Sequence, residues 1–177
     1  MPLPEIVDMI EDCPDEVKKA GHNLHNTCGY MVSLGFKRPD VAKHLWFYIY
    51  DEDILSARVY SPSLKSPDNV PEGCSSFQAE IFFDCKAEIP SADIVLKNTI
   101  EKLFGMGLFT EDEIVVKDIR FEKYANVTFD KDIYKNRQIV LDYLEEIGIE
   151  SIGRFGKWDY FWTFQAFKTG MEIVYNG

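Results

Sequence analysis

The sequence predicts an α+β fold, a mixed, largely antiparallel sheet with flanking helices. Three observations lead there. Apolar and aromatic runs of strand length fill the first half, a proline-rich loop interrupts them, and helix-period stripes alternate with short extended runs in the second half. With 177 residues, 46% of them hydrophobic, the chain can bury about 70% of its unfolded surface in one compact unit. Three segments are expected within it: an acidic opening over 1–22, an α+β region over 23–148, and a C-terminal segment with a helix over 149–177.

Residues 1 to 16 hold Glu5, Asp8, Glu11, Asp12, Asp15 and Glu16 without a Lys or Arg, and read as a solvated segment. Asn23 to Phe36 is a strand weakened at Gly29 and Gly35. His44 to Tyr50 is apolar and aromatic on both alternating faces, which predicts a central strand covered on both sides. Asp51-Glu52-Asp53 turns the chain, and Ile54 to Tyr60 returns as the second arm of a hairpin, with Ser56, Arg58 and Tyr60 on one face. Residues 61 to 74 hold three prolines and a glycine and read as a long loop without helix or strand. Ser75 to Phe83 alternates, with Phe77, Ala79, Ile81 and Phe83 inward and Ser76, Gln78 and Glu80 on the polar face.

A helix start at Pro90-Ser91 opens a stripe of Ile94, Leu96, Ile100, Leu103 and Phe104, stopped by Gly105 and Gly107. Glu113 to Phe129 holds one or two strands. Lys131 to Ile147 is an amphipathic helix with Ile133, Val140, Leu141, Leu144 and Ile147 inward and Gly148 beyond its end. A short strand over Glu150–Ile152 then leads into Gly153-Arg154-Phe155-Gly156 and a last helix from about Asp159.

Composition excludes several functions. The formal net charge of −11 opposes duplex DNA or an anionic membrane, and no nucleic-acid partner is expected. The densest apolar run, Leu45 to Tyr50, is far short of the roughly 20 residues that span a bilayer, so no membrane span is expected. Cys13, Cys28, Cys74 and Cys85 form no C-x-x-C and read as reduced thiols; with no secretory signal at the start, the expectation is a cytoplasmic protein. His22, His25 and Cys28 are spaced by three in an extended segment, which sends neighbours to opposite faces, so no metal site is expected. The motifs G-x-S-x-G, H-E-x-x-H and a Walker lysine loop are absent, and Gly105-Met106-Gly107 follows a helix instead of opening one. No catalytic residue is assigned.

Two constellations carry the functional reading. Arg58 faces Gln78 and Glu80 if their strands are neighbours, and a face of Arg, Gln and Glu needs internal pairing or a ligand. Gly153-Arg154-Phe155-Gly156-Lys157-Trp158-Asp159-Tyr160 brackets an arginine with glycines before a helix, the pattern of an anion site in which a helix terminus and a guanidinium fork share a phosphate. The aromatic density from Trp158 to Phe167 also fits a plain buried helix.

The stretch R-Q-I-V-L-D-Y-L-E-E-I-G-I-E-S-I-G-R-F-G-K-W-D-Y resembles the C-terminal end of the FAD-dependent amine oxidoreductase superfamily, in its protoporphyrinogen-oxidase-like and UDP-galactopyranose-mutase-like branch. The earlier aromatic strand, arginine strand, proline loop and Q-x-E strand resemble that branch's substrate-binding domain. The resemblance implies that Gly153, Arg154, Gly156, Trp158, Asp159, Tyr160 and Phe161 face the cofactor, and that Arg58, Gln78 and Glu80 line the substrate side. It implies FAD in a full-length parent, a small-molecule or sugar-nucleotide substrate, and a setting in polysaccharide biosynthesis. The family's N-terminal G-x-G-x-x-G unit is missing, so the chain is expected to be the C-terminal part of a larger flavoprotein, inactive and without bound FAD by itself. Trp162-Thr163-Phe164-Gln165 replaces more polar residues expected beside a flavin. That departure keeps a rival reading, a non-catalytic binding or interaction module that kept the fold. Aromatics left uncovered in this region make a homodimer the expected oligomer.

Overall fold

The computed structural model describes residues 1–176. The chain divides into two compact units, Cys28–Ala125 and a second made of Met1–Thr27 with the chain from Asn126 onward. This division crosses the segment boundaries drawn from the sequence, because the N-terminal helices pack with the late helices.

Five strands form one sheet in the order β2-β3-β4-β1-β5: β1 is Asn26–Phe36, β2 Trp46–Tyr48, β3 Arg58–Tyr60, β4 Ser75–Asp84 and β5 Ile114–Val127. The hairpin is present, with Trp46 opposite Tyr60 and Tyr48 opposite Arg58, and β3 pairs antiparallel with β4. On the inward face Val32, Leu34, Phe36, Val59, Phe77, Ala79 and Ile81 join Val95, Ile100 and Leu103 of the helix Ala92–Gly105 in one core. The β1–β4 contact is unusually close at Gly29, where a Cβ would stand 1.9 Å from the carbonyl oxygen of Ile81.

In the other unit, the acidic opening is not a solvated segment. It forms α1 (Leu3–Met9) and α2 (Asp15–His22), which bury Leu3, Val7 and Val17 while the carboxylates stay outside. Helix α2 packs against both α1 and the helix Ile133–Glu146, whose Ile133, Val140 and Leu144 are buried.

Other expectations are corrected. The run 44–50 is an edge strand, not a central one: Phe47 packs on Phe77 while Trp46, Tyr48 and Tyr50 are 58%, 54% and 88% exposed. The proline loop contains a one-turn helix, α3 (Pro62–Lys65), because Ser61 caps Leu64 N–H and Pro62 occupies the first turn, where no N–H is needed. Helix α4 (Ala92–Gly105) buries Val95 and Thr99 and leaves Ile94 and Phe104 exposed. In α5 (Ile133–Glu146), Asn136 takes an inward place and Ile147 lies outside the helix and exposed. Glu150–Ile152 pairs with no strand. A single strand, β5, spans the region read as one or two.

Cys13 and Cys28 are buried, Cys74 is part-buried and Cys85 is exposed. Burial, then a hydrogen bond with Cys28, pushes the Cys85 thiol from 9.0 up to about 12. The neutral thiol is therefore favoured in the fold, and its stabilising effect is complete below the unfolded value and lost as pH rises toward the folded one. We expect urea stability to decline between pH 9 and 12, less so in Cys85→Ser, and Cys85 to alkylate at least tenfold more slowly than glutathione at pH 8. Equal alkylation rates would refute this.

Gly29→Ala is expected to cost about 3 kcal/mol or more, since the obstructing atom is backbone and cannot rotate away. Gly105→Ala, where a Cβ meets nothing within 4 Å, should be neutral or slightly stabilising. Urea melts of the two variants make the comparison, and a tolerated Gly29→Ala would contradict the packing described.

Candidate functional site

On the polar face of the sheet, register places Arg58 opposite Glu80 and Tyr60 opposite Gln78. Arg58 donates from Nε to Glu80 Oε2 at 3.0 Å and from Nη2 to Oε1 at 2.6 Å, a bidentate fork with planar fit. Tyr60 O–H donates to Gln78 Oε1, and Gln78 Nε2 donates to Ser33 Oγ at 3.2 Å, so Arg58, Tyr60, Gln78 and Glu80 are all partnered, whereas the buried Ser76 Oγ on the same face has no hydrogen bond. Glu80 is nearly buried whereas Arg58 is 41% exposed at its side chain, so one end of the pair is wet. The Glu80 fork raises the Arg58 guanidinium above its ordinary value against partial burial. Burial and the nearby Glu80 charge raise the Tyr60 phenol, partly offset by Arg58, which keeps it a protonated donor.

Arg58, Tyr60 and Glu80 line an open cavity of about 320 Å³ with Leu45, Trp46 and Lys65. The proline loop forms part of its wall and is tied to β4 by Ser76 N–H donating to Ser63 Oγ at 3.1 Å. Pairing and cavity wall, the two readings left open by the sequence, therefore coexist for Arg58 and Glu80. Gln78 lies behind this wall, holding Tyr60.

The glycine–arginine turn in the other unit departs further from expectation. The helix that starts there, α6 (Gly153–Gly156), is one turn long, and the following helix, α7 (Thr163–Asn176), begins at Thr163 instead of Asp159. The chain is broken between them by Trp158, held at φ 48°, and by Asp159, whose carboxylate accepts from Arg137 Nη1 at 2.7 Å and from Tyr160 N–H at 2.7 Å. The expected helix terminus aimed at an anion is thus absent from this turn, and Gly153 N–H is spent on Thr169 Oγ1 at 2.9 Å. Gly156 and Trp158 are buried within their unit. The buried-helix reading fails as well: beyond Trp158, the residues Tyr160, Trp162, Phe164 and Phe167 are 55–70% exposed.

Arg154 keeps the most cofactor-like features. Its Nη2 donates to Asn126 Oδ1 at 2.7 Å, its guanidinium lies 5.5 Å and 5.2 Å from the Phe155 and Tyr160 ring centres, and its Nε is buried with no hydrogen bond. Gly153, at φ +75°, has open space where a Cβ would stand. Arg154, Gly153, Tyr160 and the part-buried Phe161 thus fit contact with the edge of a phosphate group, while Gly156, Trp158 and Asp159 build the turn from inside. Arg137, Asn126 and Thr169 complete this turn and escaped the sequence reading, since nothing local links positions 16 to 28 residues away. Tyr60 was legible by alternation with Arg58; Trp46 and Lys65 reach the cavity through the hairpin and the one-turn helix, which no motif signals.

Among the described residues no cluster of His, Cys, Asp or Glu is suited to a metal ion, and no helix is long and apolar enough to cross a membrane. No protein-family model and no curated protein matches the sequence. Solved structures do. Reduced UDP-galactopyranose mutase matches over 90% of this chain with a TM-score of 0.81 and 20% identity, covering 35% of that protein. A protein described as a protoporphyrinogen oxidase from Exiguobacterium sp. 255-15 matches over 100% of this chain with a TM-score of 0.69 and 11% identity, covering 40% of that protein. The likeness expected from the sequence is therefore present in the α+β fold, and the chain spans well under half the length of the proteins it matches.

Glu80→Gln keeps the shape but removes the charge from the fork, and should cost about 1.5–3 kcal/mol, with Arg58→Met/Glu80→Gln less damaging than the two single costs added together. A double-mutant cycle in urea checks this. Additive costs would mean that the pair contributes no coupling.

Proposed function

We propose that this chain is the substrate-binding and flavin-capping portion of an FAD-dependent oxidoreductase or sugar-nucleotide mutase-like protein, working in the cytoplasm on a small molecule or sugar nucleotide in polysaccharide or lipopolysaccharide biosynthesis. The observation that supports it is the Arg58–Glu80 fork walling a cavity beside Trp46 and Lys65, in a chain whose fold recurs in UDP-galactopyranose mutase. Trp46 offers a ring surface for a base, the Lys65 ammonium meets a diphosphate, and the fork with Tyr60 orients sugar hydroxyls. Gln78 acts one step back, fixing the Tyr60 hydroxyl.

FAD, when bound, supplies the electron chemistry. Arg154 would hold an edge of its pyrophosphate, with Gly153, Tyr160 and Phe161 alongside. Arg137 contributes by locking Asp159, which fixes the turn that presents Arg154. A second reading, a binding module that kept the fold without the cofactor, is favoured by Trp162 and Phe164, apolar and 65% and 70% exposed where polar residues are expected beside a flavin.

Titration calorimetry with UDP-galactopyranose and, separately, FAD tests both readings. We expect the nucleotide sugar to bind, Arg58→Ala to weaken it about 10- to 150-fold (about 1.5–3 kcal/mol), Lys65→Ala to weaken it less, and the chain to purify colourless. An absence of nucleotide binding would remove the substrate reading. A stoichiometric flavin spectrum that survives gel filtration would show a more complete cofactor site than the Arg154 turn provides.

A further inference from the structure

Within the unit Cys28–Ala125, the proline loop encloses a second cavity, of about 340 Å³, beside Ser33 and Ser76 of the sheet's polar face. The loop contributes Val70 and Cys74, and the start of β5 contributes Val116. Bare backbone at Gly35 keeps the floor open. A Cβ there would stand 3.1 Å from Val116 Cβ, so any side chain at this position would meet Val116 across the cavity. The volume lies at the small end of ligand cavities, which start at about 300 Å³.

Three observations define what can occupy it. No Asp, Glu, Lys, Arg or His lines it, in a chain that is 28% charged and whose other cavity on this face carries Arg58, Lys65 and Glu80. A charged ligand would lose its water here and meet no counter-charge. Two hydroxyls have hydrogen-bonding capacity left over. Ser76 Oγ is buried without a hydrogen bond, and Ser33 Oγ accepts from Gln78 Nε2 at 3.2 Å, which leaves the Ser33 proton to donate. The walls are also pinned in place. Ser75 Oγ donates to the Arg38 carbonyl at 2.6 Å, Asn69 Nδ2 to the Pro62 carbonyl at 3.2 Å, and Ser76 N–H to Ser63 Oγ at 3.1 Å. Arg38 in turn holds Glu113, directly before β5, at 2.6 Å. These ties keep the loop from settling onto the sheet, so the cavity is preformed and a ligand need not order it.

We propose that this cavity is a second small-molecule site, for an uncharged and mainly apolar ring compound that presents one oxygen acceptor to Ser76 and Ser33. The acceptor supplies the partner that Ser76 Oγ lacks within the chain, and the ring covers Val70, Val116 and the loop prolines. The two cavities on the sheet then sort ligands by charge: a charged or hydroxyl-rich group meets Arg58 and Lys65, and a neutral ring meets Ser76.

Titration of the whole chain, followed by amide ¹H–¹⁵N NMR, tests this with three probes that share a ring: acetophenone, which carries a carbonyl acceptor, benzoate, which is charged, and toluene, which has no acceptor. We expect acetophenone to shift the amides of Val70, Cys74, Ser76 and Val116 with a Kd of about 1 mM or below, toluene to shift the same amides more weakly, and benzoate to leave them unchanged. Ser76→Ala should weaken acetophenone about three- to tenfold, leave toluene unaffected, and melt no lower than the parent chain, because the lost hydroxyl had no partner. Val116→Asp, at a side chain 54% exposed, should abolish binding of both neutral probes with an unchanged melt. No shift with any probe, benzoate binding as well as acetophenone, or a Ser76→Ala chain that melts lower and binds acetophenone undiminished would overturn the proposal. Nucleotide binding at Arg58 is read by its own titration and is independent of these outcomes.

Discussion

The two-residue period of β1 and β4 is the constraint from which the rest of the sheet unit follows. A strand whose alternate residues are Val32, Leu34 and Phe36, or Phe77, Ala79 and Ile81, must put that face against a core, and the intervening residues are then committed to the other face. That second face receives Ser33, Gln78, Glu80, Arg58 and Tyr60, polar groups held too near one another to remain separately hydrated. They satisfy each other in a chain from Ser33 through Gln78 to Tyr60, and in the fork from Arg58 to Glu80. The candidate substrate wall is thus a consequence of pleat and register, with no loop needed to assemble it. Gly29 serves the same constraint: it lets β1 approach the Ile81 carbonyl and hold the register that aligns Gln78 with Ser33.

Most of this sheet was legible because its signals are local. Alternation identified β4 and its two faces, the Asp51-Glu52-Asp53 turn identified the hairpin, and Arg58, Gln78 and Glu80 followed as neighbours. Position within the sheet was not legible: Trp46, Phe47 and Tyr48 spell a strand apolar on both sides, yet the sheet ends there and two of the three rings face outward. An aromatic strand reports affinity for apolar or stacked neighbours, and sequence does not say whether those neighbours lie in the same chain.

The glycine–arginine turn shows the opposite case, in which a strong local pattern is overridden from a distance. Two glycines, an arginine and an aromatic run spell a helix start, and Asp159 is a sound N-cap type. Arg137, more than twenty residues earlier, takes the Asp159 carboxylate, and Trp158 turns into the unit at positive φ, so the helix cannot begin until Thr163. The acidic opening was misread for a similar reason. Its carboxylates are solvated as expected, but Leu3 and Val7 fall four apart on α1, which packs on α2, and α2, which buries Val17, packs in turn on α5, a partner more than a hundred residues away.

The two arginines that both readings rest on differ in what compensates their charge, and this decides the ligand each can hold. Arg58 is matched by a carboxylate in a bidentate fork, so the pair is neutral as a unit, and its value to a ligand is directional hydrogen bonding to hydroxyls or amides. The net positive charge at that cavity comes from Lys65, at its rim in the one-turn helix. Arg154 is matched by a neutral amide, Asn126, and by two aromatic ring faces, which orient a guanidinium without cancelling it. The neighbouring carboxylate, Asp159, is itself neutralised by Arg137, so it does not offset Arg154 either. A polar, hydroxyl-rich group therefore suits the Arg58 side and an anion suits Arg154, the same division of labour that the substrate and cofactor assignments require.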